Sequence, residues 1–68
     1  SLLERHKTIE KFLKVLGVKD SVLLEETEKT EHTISKETLK CMSVLLEFLE
    51  TNPDLCNLYD SYKERYIK

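Results

Sequence analysis

The residues able to do chemistry are few and widely scattered. His6, His32, Cys41 and Cys56 are the only soft metal ligands in 68 residues. Their separations match no zinc spacing, and there is no CxxC or HxxxH pair among them. The sequence therefore predicts no metal site and no cofactor. His6 sits at the edge of an amphipathic pattern and His32 in a polar stretch, so both read as solvated. Glu25, Glu26 and Glu28 crowd one acidic segment, which reads as a solvated face. No Gly-rich phosphate loop, no HExxH and no nucleophile with an adjacent base is present, so the chain is not expected to be an enzyme. With one Gly in the chain there is little material for a shaped catalytic cleft.

Composition excludes further classes. The formal charge is −2, with eleven basic against thirteen acidic residues interleaved along the chain. That removes the basic patch on which most nucleic-acid binding depends. No run is long and apolar enough to span a bilayer. Scarce Gly and Pro argue against an all-β fold, and the pattern is all-α. At 68 residues the chain is one helical domain, near the size at which a single core is only marginally stabilising. Because it begins at Ser1, it reads as a piece of a longer protein, and its unpaired cysteines suggest an intracellular one. In a hairpin bending near Asn52, Cys41 and Cys56 would stand roughly 10 Å apart along the helix axis at 1.5 Å per residue. That is too far for a disulfide, so both are expected to be free, buried thiols.

The elements that must position these residues are three main helices and a short one. Residues 2–16 place Leu2, Ile9, Phe12, Leu13 and Leu16 on one stripe, ended by Gly17. A short helix is expected at 21–28, capped by Asp20 or Ser21, with 29–34 as a connection, because Thr27, Thr30 and Thr33 are poor helix formers. Ser35 is the N-cap of a helix over 36–51. Asn52 and Pro53 open the last helix, 53–66, with Asn52 as cap and a stripe of Leu55, Leu58, Tyr59, Tyr62 and Tyr66. Lys63, Arg65 and Lys68 fall at its end, where the helix dipole favours cations. The tyrosines read as core with hydroxyls at the rim.

Two local resemblances bear on function. "LGVKDSV" resembles the Asp-Ser-Leu site at which acyl carrier proteins receive phosphopantetheine. The likeness covers those residues alone, and Ser21 reads as a helix cap. "EFLETNPDL" is similar to the helix–loop–helix junction of tetratricopeptide-type repeats. The chain holds at most two such units, where a solenoid needs about three.

The segment "CMSVLLEFLE" carries the functional expectation. On a helical wheel, helix 36–51 is apolar over roughly 220°, an arc found on helices sandwiched between two layers. One side serves the chain's own core through Met42, Leu45 and Leu49, which makes this the central helix. Either Val22, Leu23 and Leu24 cover the other side, or it is an association surface. The expected function is a homo-oligomerisation module, dimer or tetramer, of a larger protein. Its interface residues would be Cys41, Val44, Leu45 and Phe48, with Val15, Tyr59 and Ile67. The alternative is a monomeric docking module for a partner's amphipathic helix. A helix-turn-helix-like nucleic-acid module has only Lys7, Lys11 and Lys14 on one face in its favour, and the interleaved carboxylates oppose it.

Overall fold

The computed structural model describes residues 2–67, and the side chains of residues 4–67. The expectation for Leu2 on the first stripe and for Lys68 at the last helix end falls outside the described side chains. Four helices follow one another: α1 (Leu2–Leu16), α2 (Asp20–Thr33), α3 (Lys36–Thr51) and α4 (Pro53–Lys63). The all-α expectation is met, and no strand occurs among the described residues.

Helix α1 stops where Gly17 takes φ 113°. The amide of Val18 donates to Leu13 O at 3.0 Å and that of Gly17 to Lys14 O at 3.1 Å. This pair of bonds satisfies carbonyls that the helix end leaves without partners. A Cβ on Gly17 would also lie 2.8 Å from Lys63 Cδ, so the glycine lets the end of α4 approach.

Helix α2 is the largest departure from expectation. It starts at Asp20, its N-cap is Lys19 with no side-chain capping bond, and it runs to Thr33 instead of stopping at 28. Neither Asp20 nor Ser21 is the cap. The threonines that argued against a helix donate their hydroxyls one turn back: Thr27 to Leu23 O, Thr30 to Glu26 O and Thr33 to Lys29 O. Such bonds satisfy the hydroxyls within the helix, and packing on α1 overrides a propensity deficit of a few tenths of a kcal/mol per residue. Leu23 and Thr27, four apart, are buried on the face turned to α1.

Helix α3 starts as its sequence predicts: Ser35 Oγ accepts the amide of Thr38 at 3.1 Å. At the α3–α4 bend, Asn52 works on the other helix from the one expected. Its Nδ2 donates to Phe48 O at 2.8 Å, closing α3, and it makes no side-chain cap to α4. Pro53 occupies the first turn of α4. The helix ends at Lys63, three residues short of expectation, and 64–66 form turns.

The centre of the fold is α1, not α3. It packs against both α2 and α3, whereas α4 rests mainly on α3. Ile9 of α1 is fully buried, with Leu23 of α2 and Leu46 of α3 completing the buried apolar set among the described residues. Thr27 is the one buried polar residue among the described residues, and its hydroxyl is satisfied.

Candidate functional site

Two regions stand out. The first is the open apolar face of α3 and α4. Only three large apolar side chains are buried among the described residues, while eleven are exposed. The exposed set includes Val44, Leu45 and Phe48 on α3, and Leu55, Leu58 and Tyr62 on α4, with Tyr66 and Ile67 beyond it. Val44 retains 60% of its accessible surface and Phe48 49%. The segment around Val22–Leu24 does not cover them: α2 lies against α1, and Val22 and Leu24 are themselves exposed.

Of the seven residues expected at an interface, Cys41, Val44, Leu45, Phe48 and Ile67 are exposed, and Val15 and Tyr59 are half-buried. Cys41 is therefore free but not buried, contrary to expectation; Cys56 is free and half-buried. Val15, Leu45 and Tyr59 meet around an apolar cavity of about 260 Å³ that Phe12, Leu16 and Leu49 complete. Tyr59 also ties α4 to α1: its hydroxyl donates to Leu16 O at 3.1 Å. Lys63 reinforces the tie, donating to Val15 O at 3.3 Å with its ammonium 5.5 Å from the Tyr59 ring centre. A cation set on the C-terminal carbonyls of α1 also complements the negative end of that helix.

The α4 tyrosine stripe does not form core as expected. Tyr59 turns inward, whereas Tyr62 and Tyr66 are exposed and lie against each other with ring centres 5.3 Å apart. The periodicity identified the stripe, but it carried no information on which of its residues the short α4 would press against a neighbour.

The second region is polar and joins α1 to the C-terminal half of α2. His6 is half-buried and paired rather than freely solvated as expected. Its Nδ1 is hydrogen-bonded to Glu31 Oε1, and its Nε2 lies 3.6 Å from Glu10 Oε2. Beside it, Arg5 Nε donates to Glu31 O at 3.1 Å, and Arg5 Nη2 donates to Ile34 O. His32, by contrast, is exposed as expected. No group of three or more His, Cys, Asp or Glu side chains is assembled for a metal among the described residues, but His6 and Glu31 form a pair of donors from two helices. Their meeting was not legible in the sequence, because 25 residues separate them and residues 29–34 were expected to be a connection.

The four-helix unit leaves a surplus of apolar surface exposed, and it also pairs an imidazole with a carboxylate between two helices. The chain belongs to the family described as the iron dependent repressor, metal binding and dimerisation domain, which matches residues 1–57. It is 28% identical over 65 residues, 96% of its length, to the HTH-type transcriptional regulator MntR of Lysinibacillus sphaericus (strain C3-41), covering 47% of that protein. It is 36% identical over 53 residues, 78% of its length, to the proteins of that name from Listeria welshimeri and Listeria monocytogenes, covering 37% of each. The chain thus spans less than half the length of these relatives. No solved structure matches it. The family is one of regulator dimerisation domains rather than of enzymes. No described helix is long and apolar enough to cross a membrane.

Proposed function

We propose that this chain is the dimerisation part of a metal-responsive transcription regulator inside the cell. Two copies associate through the open face of α3, with Cys41, Val44, Leu45 and Phe48 at its centre and Val15, Tyr59 and Ile67 around it. The observation that carries this reading is the imbalance between three buried and eleven exposed large apolar side chains. A two-fold arrangement lets one patch cover its own copy, and burying a side chain such as Phe48 contributes about 1.5–3 kcal/mol. The family description, which names dimerisation, supports the same reading.

The reading extends to a divalent metal ion, which the sequence alone did not suggest. Imidazole nitrogen and carboxylate oxygen suit first-row divalent cations. His6 and Glu31 would be the core of the site, and Glu28 and His32, a turn apart on α2, flank Glu31 on that helix. Bound there, the ion would supply a cross-link between α1 and α2. The protein's own part is to hold His6 and Glu31 face to face and to keep α2 helical through Thr33. In this proposal DNA is read by a region of the regulator beyond this chain, in keeping with the net charge of −2 and with relatives named as helix-turn-helix regulators.

The test is absolute mass by sedimentation equilibrium under reducing conditions. A mass of two chains that Phe48→Glu halves, at unchanged helicity, is the expected result. A wild-type monomer that binds a hydrophobic fluorescent probe would instead favour a docking surface for a partner's amphipathic helix.

A further inference from the structure

Arg5 is the residue next to His6, yet it does not touch the Glu31 carboxylate. It grips the main chain instead, with Nε on Glu31 O at 3.1 Å and Nη2 on Ile34 O. Glu31 is thus held twice from α1, by its carbonyl through Arg5 and by its carboxylate through His6. The two carbonyls stand at the end of α2, where the helix leaves its last carbonyl groups without partners. Ile34 is in extended conformation, so its carbonyl lies outside the helical ladder, where the guanidinium reaches it. A guanidinium is suited to this: it is planar, keeps its charge and presents several donors in a fixed fork.

The geometry points to Arg5 as a positioning residue for the His6–Glu31 metal site, an inference that rests on the metal reading above. Arg5 sets where the last turn of α2 stands relative to α1, and thereby the separation of the two ligands. It also makes the ligand pair depend on α2 remaining helical as far as Thr33, the stretch whose own residues favour it least. Lysine is a poorer substitute, because one ammonium lacks the fork that reaches both carbonyls.

The test is titration of Co²⁺, a redox-stable first-row divalent ion, into the full protein and its Arg5→Gln, Arg5→Lys and His6→Ala variants. Visible absorption bands report the ligand set, and circular dichroism is recorded at the same temperature. Wild type is expected to bind and His6→Ala to lose the site. Arg5→Gln should bind about 10–100-fold more weakly with altered bands, as for other groups that orient a metal ligand, at a temperature where its helicity equals wild type. Arg5→Lys should fall between. Equal affinity and equal bands in Arg5→Gln would overturn the inference while leaving the metal site standing. A wild type that leaves the Co²⁺ spectrum unchanged would overturn the metal reading and this inference together. A drop for Arg5→Gln at unchanged affinity of His6→Ala would place the ion elsewhere and overturn both.

Discussion

The two ends of this molecule are built on different principles. The α1–α2 side is closed. Ile9, Leu23 and Thr27 are buried there, and Arg5 and His6 fasten the far end of α2 with hydrogen bonds to defined atoms. The α3–α4 side is open. Leu46 alone is buried on α3, none of α4 is, and the two helices present Val44, Phe48, Leu58 and Tyr62 to solvent. Directional polar bonds suit a part that must hold one geometry. Non-directional apolar surface suits a part completed by a second copy. The comparison teaches that charged residues next to an apolar stripe can be structural ties, while the most hydrophobic helix in a chain need not be its core.

Mutations can break this contrast. Ile9→Ala strikes the closed side at its fully buried residue. It should cost about 2–5 kcal/mol, a loss large enough to unfold so small a domain, read as the urea midpoint. Phe48→Glu strikes the open side and should leave the monomer's helicity intact while weakening association by about 2 kcal/mol or more, measured by sedimentation. If Phe48→Glu instead unfolds the chain and Ile9→Ala does not, the assignment of closed and open sides is reversed.

Gly17→Ala probes the seam between the sides. It must adopt φ 113° and displace Lys63. A loss of about 1–3 kcal/mol is expected, with amide exchange accelerated first around the α1–α4 junction. Ser35→Ala should cost about 1 kcal/mol, seen as a small fall in thermal midpoint with no change in mass. Saturating metal should act on the closed side alone, raising stability by about 2.7 kcal/mol at a hundred times its dissociation constant. Calorimetry of wild type and His6→Ala with and without the ion reads that term, and an equal rise in both would show binding outside the pair.

Much of this was legible from residues 35–53. Ser35 and Pro53 mark helix boundaries through local geometry, and the apolar arc of helix 36–51 announced an uncovered face. The exposure of Val44 and Phe48 agrees with that expectation. Residues 20–34 were not legible in the same way. Their stripe is interrupted by three threonines, whose fate depends on whether hydroxyl bonds and a neighbouring helix offset their low propensity. The tyrosine stripe of α4 was visible as a period, but one inward residue, Tyr59, was decided by the carbonyl of Leu16.

What the sequence determined by itself was therefore local: the helical class, the stop at Gly17, the cap at Ser35, the bend at Asn52–Pro53 and the excess of apolar surface. Each follows from the conformational preferences and periodicity of neighbouring residues. What only the tertiary structure decided was which helix is central, how far α2 continues, and that His6 and Arg5 meet Glu31. The last of these rests on contacts between residues 25 or more positions apart, and no local pattern encodes which distant partner satisfies a histidine, a guanidinium or an unpaired carbonyl.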